Sequence, residues 1–301
     1  MTPPTLHATP RPRDVLREQL RAVGLALRGP GLAAAALLGV VTLAAAIRLL
    51  GARTAIDFHP ELSMLPGMVG ALLPIGVWKG EERFGAGVLW SLPVDRRRHA
   101  LVRVGAGWVW LMAAVAVLVL SLLALSLLSG GSVLAERTVR VLPALPVPAP
   151  PALDPAALRA VRWTPNALLW LVPFTAATAS YLLASALALG TRHPLRWIVG
   201  TLLAPFLLFA FGDLTDAARL KTAIMRVLPR LFEGPYGIDT LFTARAESLH
   251  TEVRLTTGET VGVWRDLPDV AQWALTTLLW TGAGALALWA AASRHRERRR
   301  G

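Results

Sequence analysis

The chain has 301 residues, of which 54% are hydrophobic and 17% are charged, a balance that excludes an ordinary soluble domain and indicates a membrane protein. Its formal charge of +12 does not indicate a nucleic-acid partner, because membrane proteins collect basic residues on their cytoplasmic side. Since the sequence has no cysteine, disulfides, thiolate metal sites and cysteine nucleophiles are excluded.

The first 30 residues predict a cytoplasmic segment that contains a helix lying along the inner membrane surface. In residues 12–28, one helical face is apolar and arginines cover the other, which is typical of interfacial helices. The apolar face consists of Leu16, Leu20, Val23 and Leu27. An ordinary basic flank of the first span is the alternative. The segment is too basic and too interrupted for a signal peptide, so we expect the first span to be retained.

Six apolar stretches approach the length of about 20 residues that a helix needs to cross the hydrocarbon core of a bilayer. They cover residues 31–50, 62–78, 104–128, 166–190, 195–212 and 269–292. Prolines in the second, fourth and fifth stretches would kink these helices and require neighbouring helices to satisfy the freed carbonyls. We therefore expect an all-α integral membrane protein whose six transmembrane helices form a packed bundle over residues 31–292.

The distribution of basic residues predicts that both termini are cytoplasmic. With the N-terminus inside, the cytoplasmic segments are 1–30, 79–103, 191–196 and a basic tail at 293–301. Together they contain 18 Lys and Arg against 6 Asp and Glu, whereas the rest of the chain contains 13 against 13. Because the whole basic excess falls on one side, the positive-inside rule predicts a multi-pass protein of the cytoplasmic (inner) membrane with this orientation.

Two segments on the opposite side of the membrane have a character of their own. Residues 143–155 contain six prolines and predict an extended spacer. In the large loop at 213–268, residues 216–228 have apolar side chains at helical spacing, which predicts a small interfacial helix. Alternating apolar residues on both sides of the turn sequence TTGE, within 249–263, predict a small β-hairpin.

The sequence contains no recognisable set of residues for catalysis or for coupling to an ion gradient. A phosphate-binding P-loop needs Gly-Lys-Ser/Thr, but Lys79 follows Trp78 and Lys221 follows Leu220. The six histidines lack zinc-binding spacing, no GxSxG elbow occurs, and the interiors of the predicted spans have no ionisable residue. We expect a protein that is not an enzyme, binds no cofactor or metal, and receives energy from a partner.

The cytoplasmic loop between the second and third predicted spans is the candidate docking element. Its apolar residues fit one face of a short helix, which Pro93 ends, and charged residues of both signs precede it. The predicted docking residues are Glu81, Glu82, Arg83, Phe84, Gly87, Val88, Leu89, Leu92 and Pro93. The arginines that follow, Arg96, Arg97 and Arg98, are predicted to bind lipid phosphates and to fix the topology, with a protein-binding surface as the alternative.

This loop resembles the one in permease subunits of type-2 ATP-binding-cassette (ABC) exporters, where an acidic–basic pair, a glycine and an LPVxR-type signature lie between the second and third of six spans. The matching residues are Glu82, Arg83, Gly85 or Gly87, Ser91, Leu92, Pro93, Val94 and Arg96. The spacing here is a residue or two shorter, and no threonine follows the glycine. The predicted interfacial helix, the six spans and the large outer segment before the sixth span also resemble that family.

The resemblance implies that residues 81–93 form a coupling helix that fits a groove on a separate cytoplasmic ATPase, which binds the ATP. Residues 12–28 would be the elbow helix beside it, and a second copy or a related permease chain would complete an exporter. Two alternatives belong to other classes. One is a non-transporting membrane anchor or assembly factor for another membrane complex. The other is a lipid-modifying membrane enzyme, for which the sequence lacks carboxylate, histidine and cysteine sets. The sequence does not indicate the cargo.

Overall fold

The fold is mainly helical over the residues that the computed structural model describes. These residues are 12–52, 63–78, 96–142, 152–191, 193, 195–200, 203–204, 232, 234–245 and 251–294. The helices are α1 (Pro12–Ala52), α2 (Met64–Val77), α3 (Arg96–Leu128), α4 (Val172–Gly190), α5 (Ile238–Thr243) and α6 (Val270–Arg294). Four of them, α1, α3, α4 and α6, are long and apolar enough to cross a membrane. This architecture fits the predicted all-α membrane protein.

The helices α2, α4 and α6 lie at the second, fourth and sixth predicted spans, and a 3₁₀ turn at Ala167–Leu171 leads into α4. The third helix begins earlier than its predicted span and includes the arginines at its start. Of the fifth predicted span, residues 195–200 and 203–204 are helical, and the rest lies outside the described residues.

The first helix differs from the predicted arrangement, because it runs without a break from the predicted interfacial segment into the first predicted span. The change from a basic to an apolar composition near Pro30 predicts a boundary there, but helix-forming residues lie on both sides of it. Polarity determines what surrounds a helix, whereas backbone propensity determines whether the helix continues. A separate elbow helix is therefore not seen, and Pro30 lies inside α1.

The bundle is organised around α4, which contacts α2, α3 and α6, while α1 contacts mainly α3. Its largest buried cluster includes Leu111, Tyr181 and Leu288, from three different helices. In contrast, the most apolar part of α1 is unburied, and side chains such as Leu32 and Val40 are more than half exposed. Such exposure is unfavourable in water, but lipid tails accommodate it.

The hairpin predicted in the 213–268 loop is confirmed. Strands β3 (Thr251–Arg254) and β4 (Thr260–Val263) pair antiparallel. The turn between them has Gly258 at φ +86°, a left-handed conformation that glycine adopts without steric cost. The small helix predicted at 216–228 lies outside the described residues.

Two further strands, β1 (Arg137–Val141) and β2 (Arg159–Trp163), are not predicted from the sequence. They pair antiparallel across the proline-rich segment at 143–155, most of which lies outside the described residues. A parallel bridge between Val141 of β1 and Trp264, the residue after β4, joins this pair to the hairpin. We call the end of the bundle where these strands lie the β end, and the opposite end, where α2 ends and α3 begins, the loop end.

The segment that contains α5 lies against α6 at the β end. The side chains of Gln272 and Thr276 donate hydrogen bonds to the carbonyl oxygen of Pro235, at 2.8 and 3.1 Å. The indole of Trp280 donates to the carbonyl oxygen of Tyr236 at 3.0 Å. At 1.5 Å per residue, Trp280 lies about 15 Å along α6 from its first residue. Side chains of α6 thus satisfy carbonyl oxygens of a turn, which have no partner within a helix or strand.

Candidate functional site

The predicted docking loop at residues 79–95 lies outside the described residues, but both of its ends are described. The residues concerned are Glu81, Glu82, Arg83, Phe84, Gly87, Val88, Leu89, Leu92 and Pro93. Before the loop, α2 ends with Val77 followed by Trp78, and after it α3 begins at Arg96. The candidate site is therefore the set of contacts that holds these two ends.

A small buried cluster joins the N-terminal helix to both ends of the loop. Val23 of α1, Val77 of α2 and Ala106 of α3 are fully buried against one another. They are surrounded by partly buried apolar residues, which include Leu20 and Leu27. Three of the four residues predicted for the apolar face of the elbow helix thus contribute to this cluster.

The apolar face of residues 12–28 packs on protein, where the prediction placed it on the membrane surface. The Trp110 indole donates a hydrogen bond to the carbonyl oxygen of Leu20 at 3.0 Å. Gly24 allows the same ring to lie close, because a Cβ atom at position 24 would be 2.8 Å from the ring carbon Cζ2. Leu16, the remaining residue of the predicted face, is 40% exposed. An apolar stripe does not reveal whether lipid or another helix covers it.

A buried arginine connects the end of α2 to the first turns of α3. Arg103, which is 6% exposed, donates two hydrogen bonds to the carbonyl oxygen of Val77, from Nε at 3.0 Å and from Nη2 at 2.7 Å. Its guanidinium carbon lies 5.5 Å from the centroid of the Trp78 ring. The last carbonyls of a helix have no partner within the helix and carry partial negative charge. A guanidinium is therefore a favourable partner for the end of α2.

A second hydrogen bond joins α3 to α4 at the same level of the bundle. The hydroxyl of the fully buried Tyr181 donates to the carbonyl oxygen of Val104 at 2.8 Å. Gly107 leaves room for this contact, because a Cβ atom there would clash with the tyrosine hydroxyl. Consecutive residues of α3, Arg103 and Val104, thus hold two different helices.

The three arginines predicted to bind lipid phosphates have different surroundings. Arg97 is half-buried, and its guanidinium carbon lies 5.0 Å from the centroid of the Trp289 ring of α6. Arg98 is exposed, and Arg96 is the first residue of α3. Lipid binding by these residues stays a prediction, and Arg97 has a contact with α6 that the sequence does not indicate.

Sequence reasoning does not single out Arg103, since it counts as one more cytoplasmic charge beside the third span. One signal could have found it. Arg103 is separated from the Arg96–Arg98 run and stands two residues before the small residues Gly105, Ala106 and Gly107, which allow helices to approach closely.

Comparison of the chain with protein families, with curated proteins and with solved structures found no match. Within the described ranges, no three His, Cys, Asp or Glu side chains lie close enough to hold a metal ion.

Proposed function

We propose that the protein is the membrane-spanning permease subunit of an ATP-driven ABC exporter. In this role it binds a separate cytoplasmic ATPase through the 79–95 loop and works with a second copy or a related permease chain. The observation that carries the proposal is the buried cluster of Val23, Val77 and Ala106. It brings the N-terminal helix against both helices that flank the loop, and the sequence of the loop resembles the family's pattern.

The proposal includes six spans and places the protein in the cytoplasmic (inner) membrane. Both termini and the loop end then lie on the cytoplasmic side. The four long apolar helices support the membrane part of this arrangement. The basic residues support the orientation, because Arg97, Arg98 and Arg294 belong to the loop end and the positive-inside rule puts such a cluster in the cytoplasm.

A docking loop transmits force only if its ends are fixed to the helices that must move. Here the residues before and after the loop belong to two packed helices, and α1 covers their junction. Closure of an ATPase dimer that pushed on the loop would therefore act on α1, α2 and α3 together. This arrangement favours a transport role over a loop that only marks topology.

The described helices also favour an external source of energy. In the described part of the four long helices, the buried charged side chain is Arg103. A guanidinium stays protonated in proteins, so it cannot pick up and release a coupling proton. Without a P-loop in the sequence, ATP would have to be bound by a partner chain.

The test is co-purification of the tagged protein from its native membranes in a mild detergent. We expect an ATPase with a Walker A sequence to co-purify, and the double variant Leu89→Asp/Leu92→Asp to reduce its amount about tenfold or more, because charges replace apolar interface anchors. The control is Leu134→Asp, which makes the same Leu-to-Asp change once, at a 46%-exposed leucine at the β end, and should retain the ATPase.

Equal retention of the ATPase by the double variant and the control would contradict the proposed docking site. If no ATPase is bound but another membrane protein is held through residues 213–268, the membrane-anchor alternative is favoured. Turnover of a lipid by the isolated chain would support the enzyme alternative.

A further inference from the structure

The hydrogen bonds at the loop end form a polar layer in an otherwise apolar part of the bundle. Arg103 holds the last turn of α2 through the Val77 carbonyl, and the next residue, Val104, accepts the hydrogen bond from Tyr181 of α4. Hydrogen bonds in a medium of low dielectric constant are electrostatically stronger than in water. Three helices are therefore joined at one level, beside the end of α2 and about 10 Å along α3 from its first residue.

We propose that Arg103 is a positioning residue that fixes the end of α2 against α3, the two helices from which the 79–95 loop leaves the bundle. The purpose of this positioning, which is to present the loop to the ATPase, rests on the proposed function. The restraint of α2 against α3 does not depend on that function. Two donors of one planar guanidinium converge on a single oxygen and restrain the distance and direction of the Val77 carbonyl relative to α3. An apolar contact between the same helices would leave the end of α2 free to rotate.

The contact with Trp78 adds a second restraint at the point where the chain enters the loop. The guanidinium of Arg103 lies near the face of this indole, within the range of cation–π attraction. The arginine therefore holds both the last residue of α2 and the residue that follows it. A lysine has one compact charged group and cannot reproduce both contacts at once.

The test measures the relative position of the two helices that flank the loop with pairs of spin labels, which the natural absence of cysteine makes simple. One pair, Leu72→Cys with Arg98→Cys, lies on α2 and α3 and is called the loop pair, because these two helices flank the loop. A second pair, Leu134→Cys with Thr256→Cys, reports on the β end and monitors the fold. Each pair is measured in purified protein without nucleotide, in the background of Arg103→Met, Arg103→Lys and Tyr181→Phe.

We expect Arg103→Met to broaden the distance distribution of the loop pair about twofold and to leave the β-end pair unchanged, because the end of α2 samples more orientations. Arg103→Lys should restore part of the narrow distribution. Tyr181→Phe, which removes the hydrogen bond to α4 alone, should leave the loop pair unchanged. If the distance distribution of the loop pair is as narrow in Arg103→Met as in the unmodified protein, the inference is overturned.

Two further outcomes are decisive. If Arg103→Met also changes the β-end pair, the same comparison is made with Arg103→Gln, and a loop change without a β-end change is required. Co-purification with the ATPase, measured on the same variants, should fall about tenfold in Arg103→Met. A third result separates the two proposals. If the unmodified protein binds no ATPase, but Arg103→Met still broadens the distance distribution of the loop pair, the positioning role stands and the proposed function fails.

Discussion

Replacing Gly70 with alanine is expected to lower the melting temperature of the purified protein by about 5 °C or more. Gly70 lies where α2 crosses α4, and a Cβ atom at this position would meet the backbone of Ala177, with its carbonyl carbon and Cα both 3.1 Å away. Because these are backbone atoms, no change of side-chain conformation can relieve the overlap. The two helices would have to separate, which loosens the main buried cluster.

The matched control is Gly282→Ala in α6. A Cβ atom there meets nothing within 4 Å, and alanine favours a helix over glycine by about 1 kcal/mol. We therefore expect an unchanged or slightly raised melting temperature, measured in the same detergent. Equal losses of stability in the two variants would show that the close contact between α2 and α4 is not what makes Gly70 necessary.

Replacing Trp264 with alanine is expected to destabilise the β end by about 3–5 kcal/mol, as for other buried aromatic residues. Trp264 is 5% exposed, and its ring meets that of Trp163 edge-on at 5.3 Å between centroids. The guanidinium carbons of Arg245 and Arg137 lie 4.3 and 5.4 Å from the centroid of the same ring. The indole thus connects β2, β4 and the segment after α5.

Limited proteolysis and thermal unfolding would measure this loss. We expect Trp264→Ala to make the chain around residues 251–267 sensitive to protease at temperatures where the unmodified protein resists it. Trp197→Ala is the control, because Trp197 is 59% exposed and its loss should change the melting temperature little. If Trp264→Ala resists the protease as well as the control does, this ring does not hold the β end together.

The strands illustrate which parts of the fold can be predicted from sequence. The β3–β4 hairpin is local, since alternating apolar residues and a glycine turn lie within one short stretch. The β1–β2 pair is separated by a proline-rich segment, and each strand has five residues. Their alternation, with Val139 and Val141 in one and Val161 and Trp163 in the other, is visible in the sequence, but nothing local indicates the pairing.

The helices follow from apolar length, which predicts α3, α4 and α6 and the apolar part of α1. The boundary within α1 is predicted wrongly, because a change in polarity was equated with a change in backbone structure. The approach of α2 to α4 at Gly70 is also beyond sequence reasoning. A glycine in an apolar helix has the same local pattern whether it touches another backbone or lipid.

The candidate site also has one part that the sequence predicts and one part that it does not. The residue pattern of the 79–95 loop is local and can be identified from sequence, and its role in docking remains a prediction. The partner of Arg103 is the carbonyl of Val77, a backbone atom of another helix. No side-chain pattern encodes such a partner, so the arginine is indistinguishable from the topological charges around it until the helices are packed.

The central claim, that energy reaches the membrane helices from an ATPase through this loop, is tested most directly by cross-linking. In the cysteine-free chain, Leu89→Cys provides a single attachment site for a thiol-reactive photo-cross-linker. We expect an adduct with an ABC ATPase from Leu89→Cys in native membranes and none from Leu134→Cys. Failure of Leu89→Cys to form that adduct, or its labelling from outside intact cells by a membrane-impermeant thiol reagent, would contradict the account.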